Sequence, residues 1–406
     1  MGKRHVFFRD DMSIFNNPAN IGVFGSFITG ALGFVNDVSD TMLINPRLVT
    51  TVDTSLRIND TVIPIPRDSL VYDTVLNPKT AIPTNQWFGV VYNYAITKTI
   101  GAFGCAAFNR TDEFLSLYDS LRDTRKYRSD VPFPELKGIT DFIFGARYNK
   151  INAGIGYYHA SQHLVESNEK YEVSVSLDKI NLGTEIGINK HSLEVFAGMG
   201  IFSYFNKNKN DSLKNIPEIS DKSVFLGSRF FFKTKLGGGV VFVPAVNFLR
   251  FSLFDSTITR FSGGLGLNLR LKGGFFWCGV EGEKYSSEND SADIEVSGLG
   301  ARFNFGIEKS LIWKWFIVRV GGSKYIGKQT VKQGGVTTDE WIENPVDDGT
   351  SDDFLGFGIG LSYQNRLRFD ITLNEAVPYF NPFGSGLKHS SNGGHMVLRI
   401  SSTFSL

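Results

Sequence analysis

The chain has 406 residues, with 42 basic and 41 acidic side chains and a formal net charge of +1. That balance gives no indication of a nucleic-acid partner. No apolar run approaches the roughly 18 residues of a transmembrane helix, which excludes that class, whereas a membrane β-barrel stays open because each of its strands is only half apolar. Two cysteines, Cys105 and Cys278, are too few for a disulfide framework or a metal site.

The chain begins with a segment that does not alternate. Residues 9–21 contain the turn signal Asn17-Pro18, which predicts a short helix or plug followed by a break. A first strand is predicted over residues 22–34. The polar stretch 36–86 is too long for an ordinary turn, so a large surface loop is expected there. No apolar signal core precedes this part of the chain, so an exported protein is expected to have lost its signal peptide.

A period of two then recurs to the end of the chain and predicts strands. It is clearest in residues 354–374, where an apolar face is opposed by glycines or polar residues on both halves of a predicted hairpin. In the strand predicted over 171–188 the apolar residues shift from odd to even positions, which suggests a β-bulge near Ile180. Counted in this way, the chain has roughly sixteen strands.

The lengths of the connections indicate how these strands are arranged. Short connections near Thr97, Lys150, Lys190, Leu236, Lys272, Ser310 and Gln364 alternate with long polar ones at 36–86, 110–137, 206–221, 327–353 and 375–392. All long connections would then project from one rim, which is typical of an outer-membrane barrel. Aromatic residues near the predicted strand ends suggest interfacial girdles: Tyr157, Tyr158, Trp313, Trp315, Tyr325 and Tyr363.

The stretch from Asp10 to Ala19, with an acidic residue, a short apolar segment and Asn17-Pro18-Ala19, resembles the FadL-type superfamily of outer-membrane transporters, which includes the PorV-like barrels of type IX secretion. The resemblance implies a hatch inside the barrel that carries Asn17, Pro18 and Ala19. Barrels of that family have about fourteen strands, so the sequence predicts an all-β, transmembrane antiparallel outer-membrane β-barrel of about 14–16 strands. Residues 1–21 would form the hatch, and residues 22–406 the barrel with its long extracellular loops.

Charged residues on the predicted strands are expected to face the lumen, because a charge facing lipid at the midplane costs about 2–4 kcal/mol. Similar numbers of both signs favour mutually neutralising ion pairs over an anion-selective pore. The predicted lumenal residues are Arg147, Glu194, Arg229, Arg260, Arg270, Glu281, Arg302, Arg366, Arg368, Asp370 and Arg399.

No catalytic constellation is recognised in the sequence, so no enzyme, cofactor or metal is predicted. His159 and His163 are four residues apart at the predicted end of a strand, where a surface loop pair is the preferred interpretation. The glycines of 263–266 and 356–360 lie inside strands, where they would ease curvature or packing instead of binding phosphate. The serines lack a nucleophile-elbow motif.

Two functions stay open for an integral protein of the bacterial outer membrane. The first, slightly preferred, is a transporter that passes a hydrophobic or small solute. The second is a non-transporting docking barrel that anchors a surface or periplasmic protein, as the PorV-like resemblance implies. The expected partners are outer-membrane lipid, a hydrophobic small-molecule ligand in the first case and a protein in the second.

Overall fold

The computed structural model describes residues 6–9, 11–36, 41–58, 61–76, 86–118, 134–165, 171–208, 216–234, 239–254, 256–289, 294–311, 313, 315–342, 354–363, 366–375 and 396–405. Two short 3-10 helices, Asp11–Ile14 and Pro18–Val23, precede the first strand. The strands are β1 Phe27–Asn36, β2 Thr41–Ile58, β3 Thr61–Leu76, β4 Trp87–Ala95, β5 Ile100–Phe108, β6 Thr140–Tyr148, β7 Ile151–Val165, β8 Tyr171–Ile188, β9 His191–Asn208, β10 Ile216–Lys233, β11 Val240–Leu253, β12 Ser256–Leu271, β13 Gly274–Asn289, β14 Ile294–Ser310, β15 Phe316–Gln333, β16 Val336–Ile342, β17 Phe354–Tyr363, β18 Leu367–Glu375 and β19 Met396–Ser405.

Sixteen of these strands close into one antiparallel barrel. Neighbouring strands pair in chain order from β4 to β15 and from β17 to β19, and β15 pairs with β17. Closure is made by β1, which pairs with β4 on one side and with β19 on the other, from Phe27 opposite Ser405 to Asn36 opposite Met396. The predicted all-β antiparallel barrel is confirmed, and its strand number is sixteen, the upper end of the predicted range.

The outer surface of the wall is apolar, as the alternation predicted. In β17 the side chains of Phe357 and Ile359 are exposed, whereas the intervening glycines are buried. The paired strand β18 exposes Phe369 and Ile371 on the same face. A continuous belt of exposed aliphatic and aromatic side chains around a closed sheet is stable in a bilayer, because no unpaired strand edge meets the hydrocarbon.

The two rims differ in the way that the prediction required. At one rim, strand pairs such as β6–β7 and β8–β9 are joined by turns of two residues, with Asn149 and Asn189 at positive φ of 56° and 55°. Asparagine tolerates this left-handed conformation, which tight hairpin turns require. Both ends of the barrel sequence, the start of β1 and the end of β19, lie at this short-turn rim. The longer connections lie at the opposite rim.

Some of the long connections contain strands of their own. Strands β2 and β3 pair only with each other, as a separate two-stranded sheet within the stretch predicted to be a loop at 36–86. Strand β16 folds back on the last part of β15, so the predicted loop 327–353 begins as a β-hairpin. Among the described residues, none of the helices is long and apolar enough to cross a membrane.

The β-bulge predicted near Ile180 is wrong. The pairing of β8 with both neighbours is continuous from end to end, and burial alternates without a break from residue 172 to residue 185. The odd residues Val173, Val175 and Leu177 face the interior, whereas Ile180 and Leu182 face outwards. The apolar set changes sides because the interior itself is apolar at the long-connection end of this strand.

The prediction of aromatic girdles holds for only part of its members. Trp313 and Trp315 are stacked with ring centroids 5.5 Å apart and are exposed beside the short-turn rim, and Tyr363 is exposed as well. Tyr158 and Tyr325 are fully buried and belong to the lumenal face, so their assignment to a girdle is wrong.

Candidate functional site

The interior of the barrel is occupied by the N-terminal part of the chain. Residues 6–9 and 11–24, which we call the lumenal segment, are bonded to opposite sides of the wall. Asn268 on β12 donates to the carbonyl of Phe7 at 2.8 Å, and Asn93 on β4 donates to the carbonyls of Ile21 and Phe24 at 3.1 and 2.7 Å. Strands β4 and β12 are eight strands apart in either direction around the ring. The segment therefore spans the lumen.

The residues of the predicted hatch motif begin the second 3-10 helix. Asn17 caps this helix, because its side-chain oxygen accepts a hydrogen bond from the backbone nitrogen of Ala19 at 3.2 Å. Pro18 occupies the first helical position, where its missing N–H costs no hydrogen bond. Asn17, Pro18 and Ala19 are all buried.

Glycines in the wall make room for this segment. A Cβ atom added to Gly154 on β7 would lie 2.8 Å from the carbonyl carbon of Pro18, and one added to Gly183 on β8 would overlap the side chain of Asn17. On the other side of the lumen, Gly266 and Gly279 lie directly beneath Phe7. These strand glycines allow close packing of the lumenal segment against the wall.

A buried ion-pair cluster fastens the same segment. Glu194 on β9 is fully buried and pairs with both Arg9 of the lumenal segment and Arg229 of β10, the latter through Nε at 2.9 Å and a terminal nitrogen at 2.5 Å. Arg9 also contacts Glu185 at 2.8 Å. Arg229 in addition donates to the carbonyl of Phe8 at 3.1 Å. Removing one member of such a cluster leaves an uncompensated buried charge, at a cost of about 3–5 kcal/mol.

A second structure enters the lumen from the long-connection rim. Residues 109–118, which we call the inward loop, include a short helix at 113–118 whose Phe114 and Tyr118 are buried against the interior side chains of the wall. Phe114 packs edge-on to Phe225, and Tyr118 stacks on Phe202. The sequence predicts that the long polar connection 110–137 projects from the rim, and that is wrong for residues 110–118.

Charges hold the base of the inward loop. Arg110 donates to Asp141 at 2.6 Å and its guanidinium lies 4.1 Å from the ring centroid of Phe15, so the loop touches the lumenal segment directly. Asp112 caps the short helix and pairs with Lys179 at 2.7 Å. Burial alone would raise the pKa of Asp112, but the nearby Lys179 and Arg110 lower it to about 2.

The other predicted lumenal charges form two more clusters or lie apart. Arg260 and Arg302 both approach Glu283, at 3.2 and 3.5 Å. Arg319 and Arg368 each approach both Glu308 and Asp370, at 2.6–3.1 Å. Among the described residues, the Oε2 atom of the buried Glu281 has no hydrogen-bond partner. Of the remaining predicted residues, Arg147 is half-buried and has one nitrogen 3.5 Å from the carbonyl of Gly22. Arg270 and Arg366 are exposed, and the side chain of Arg399 lies outside the described residues.

Sequence reasoning missed Asn93, Asn181, Asn268 and Glu185 as partners of the lumenal segment. The signal was present in the alternation, since each asparagine occupies the inner face of a strand and is flanked by outward apolar residues. Three or more metal-binding side chains do not come together anywhere in the described part of the chain. His159 and His163 lie within β7 and not in the loop that the sequence suggested.

Comparisons with known proteins were made for the sequence and for the fold. No family model and no curated protein matches the sequence. Among solved structures, CdiB from Acinetobacter baumannii is similar over 94% of this chain and 60% of its own, with a TM-score of 0.44 and 11% identity. A bacterial polysaccharide outer membrane secretin is similar over 94% and 98% of the two chains, with a TM-score of 0.40 and 10% identity. A mutant of the Rh. blastica porin is similar over 94% of this chain and 98% of its own, with a TM-score of 0.33 and 8% identity. The chain spans about three fifths of the length of the CdiB chains.

Proposed function

We propose that the protein is an integral outer-membrane transport barrel of the FadL/PorV-like type, in which the lumenal segment is a hatch that opens to pass a hydrophobic or small solute. The observation that carries the proposal is that one short segment spans the lumen between β4 and β12 and is held by side chains of the wall. A segment that obstructs the lumen is expected in a gated barrel and not in an open diffusion pore.

The interior chemistry supports a hydrophobic solute over an ion. The wall charges described above occur in clusters that contain both signs. In the cluster of Arg260, Arg302 and Glu283, a second negative charge comes from Glu113, which lies 4.0 Å from Arg260. None of these clusters therefore offers a large surplus of one sign that would select an anion or a cation. Towards the long-connection rim the inner wall carries Val173, Val175 and Leu177, which are covered by the inward loop. If the loop swings aside, an apolar surface faces the lumen above the hatch.

The inward loop and the hatch are in contact, so movement of one affects the other. Arg110 packs on Phe15 of the hatch and at the same time pairs with Asp141 of β6. A solute that displaces the loop would remove this contact, and the hatch would lose one of its buried neighbours. The proposal is therefore a two-part gate with the loop on one side and the hatch on the other.

Deletion of residues 1–20 tests the gate. The full-length and truncated proteins are refolded into liposomes and planar bilayers, and the folded state of each is checked by its heat-modifiable migration in gels. The truncated barrel is expected to show higher conductance and faster uptake of a fluorescent fatty-acid analogue. A folded truncated barrel with unchanged conductance and uptake would contradict the gate and favour docking.

The docking function is favoured by a different observation. The β2–β3 sheet lies outside the barrel ring, and the β15–β16 hairpin exposes 78% of Trp341. Tryptophan is enriched among the residues that dominate protein–protein binding. For a docking barrel, Trp341→Ala is expected to reduce binding of a purified surface protein partner without altering solute uptake. Loss of uptake with unchanged partner binding would contradict docking through this hairpin.

A further inference from the structure

Three polar side chains form a hydrogen-bonded chain on the outer face of the barrel, on adjacent strands β7 and β8. The Nδ1 atom of His159 lies 2.8 Å from Oδ1 of Asp178, and its Nε2 atom lies 3.1 Å from the hydroxyl of Ser161. His159 and Asp178 are directly opposite each other across the strand pair, and Ser161 follows two residues later on the same face. The order is serine, imidazole, carboxylate.

The partners determine where the protons are. An ionised carboxylate can only accept, so the Nδ1 nitrogen of His159 carries a hydrogen and donates to Asp178. In the neutral ring Nε2 is then an acceptor, and the hydroxyl of Ser161 donates to it. The Tyr157 hydroxyl also donates to Asp178, at 2.6 Å, which fixes the carboxylate. This is the arrangement in which a serine acts as a nucleophile, a histidine as its base and an acid as the orienting group.

The position of the group on the barrel indicates its substrate. Below it, towards the short-turn rim, the outer faces of β7 and β8 carry the exposed apolar residues Ile155, Ile180 and Leu182. Above it the face becomes polar, with Ser174 and Ser176 on β8. The group therefore lies where the apolar belt ends. A lipid at this level places its acyl chains along the belt and its ester linkages beside Ser161.

The group is open to the membrane interface and not to the lumen. The side chains of His159 and Asp178 are 34% and 38% exposed, whereas Tyr158, the residue between Tyr157 and His159, faces inwards and is buried. An interfacial polar contact would need only the His159–Asp178 pair. The additional hydrogen bond to Ser161, through the nitrogen opposite the carboxylate, is what acyl transfer requires.

We propose that Ser161, His159 and Asp178 form a lipid acyl-ester hydrolase site on the outer surface of the barrel, distinct from the lumen. Ser161 Oγ attacks the ester carbonyl carbon while His159 Nε2 takes the hydroxyl proton. The bond to the alcohol oxygen breaks, and that oxygen leaves with the proton from His159, which gives a free alcohol and an acyl-serine. Water, deprotonated by His159, then attacks the acyl-serine and releases the fatty acid with Ser161 restored. Asp178 and Tyr157 are positioning residues for His159.

The test uses the full-length refolded protein and three probes: a fluorophosphonate, 4-nitrophenyl esters of butyrate and palmitate in detergent, and phosphatidylethanolamine vesicles. The fluorophosphonate is expected to label Ser161, identified by mass spectrometry. Ser161→Ala is expected to lower ester hydrolysis by about 10³-fold or more and His159→Gln by a similar factor. Palmitate is expected to be preferred over butyrate, and the vesicles to release fatty acid.

Matched variants separate catalysis from folding. Ser176→Ala removes the serine directly across from Ser161 on the same face and is expected to leave hydrolysis unchanged. Asp178→Asn is expected to lower kcat with little change in KM, because the imidazole loses the carboxylate that orients it, whereas loss of a purely structural residue would change the amount of folded enzyme and not the kcat of the folded protein. Absence of hydrolysis and labelling in the folded protein, or equal rates in Ser161→Ala, would overturn the site. A Ser161-dependent preference for butyrate would overturn the lipid substrate.

Discussion

Replacing Glu194 by glutamine tests how the lumenal segment, which is the proposed hatch, is attached to the wall. Glu194 is fully buried and accepts hydrogen bonds from Arg9 on the hatch and Arg229 on the wall. When the hatch leaves the wall, Glu194 loses its bond to Arg9 and a longer one, at 3.4 Å, from Asn17, whereas Arg229 remains beside it. A hydrogen bond to a charged group is worth about 1.5–3 kcal/mol, so the fraction of open hatch is expected to rise about 10- to 150-fold. Glu185, which also contacts Arg9 at 2.8 Å, keeps the change towards the lower end.

The opening can be measured by the accessibility of a buried position. Ala19 of the hatch is fully buried, and Ala19→Cys in a background without Cys105 and Cys278 gives a single thiol. When the hatch opens and closes faster than the thiol reacts, the rate of its reaction with a membrane-impermeant maleimide is proportional to the fraction of open hatch. Glu295→Gln makes the same chemical change in an exposed ion pair with Lys332 and is expected to leave the rate within about twofold, because exposed pairs contribute little. An equal rate in Glu194→Gln and the parent would refute this account of the fastening.

Three further outcomes are expected. Gly154→Ala is expected to lower the stability of the docked hatch by about 1–3 kcal/mol, because the new Cβ meets the backbone of Pro18, and so to raise the labelling rate of Ala19→Cys. Gly282→Ala is the control, since its Cβ would lie 3.7 Å from the nearest atom, and it is expected to have little effect on that rate. Protease added to intact cells is expected to cut in 41–76 and to spare 110–118, in which most side chains are buried. Cleavage of both at equal rates would contradict the inward loop. Because the pKa of Asp112 is lowered in the folded protein, the ionised carboxylate stabilises the inward loop above the ordinary pKa of an aspartate, and this stabilisation is lost as the pH falls from about 4 towards about 2. Hydrogen exchange of the inward loop is therefore expected to rise in that pH window. An exchange rate that shows no such rise would contradict the role of Asp112.

The wall of the barrel could be predicted from the sequence because its signal is local. Period-two alternation, two-residue turns such as that at Asn149, and the segregation of connection lengths each follow from residues close together in the chain. The hairpin of β17 and β18 shows this well, since the alternation alone predicts the outward positions of Phe357, Ile359, Phe369 and Ile371. No long-range contact is needed for that reading.

The contents of the lumen could not be predicted in the same way. Residues 110–118 are charged and irregular, and their burial depends on partners such as Asp141 and Lys179 on strands that only the closed barrel brings near. The apolar odd residues of β8 were interpreted as a bulge because a polar lumen was assumed. Val173 and its neighbours were in fact the signal that something apolar covers the wall there.

The outer hydrogen-bonded group was missed for a topological reason. Ser161 and His159 are two residues apart, but Asp178 reaches them only through the pairing of β7 with β8, and no short motif connects the three. Its detection requires the register of the sheet and the knowledge of which face is outward.

The most direct measurement of the central claim is transport through a barrel whose hatch can be locked. Asn152 Cγ on β7 lies 2.7 Å from the place of a Cβ on Gly22 of the hatch, within reach of a disulfide between Gly22→Cys and Asn152→Cys in a background without the native cysteines. Uptake of the fatty-acid analogue is measured in liposomes before and after reduction. The account predicts that uptake is blocked in the oxidised protein and restored by reductant. Equal uptake in the oxidised and reduced states would contradict the claim that the hatch must move for a solute to pass.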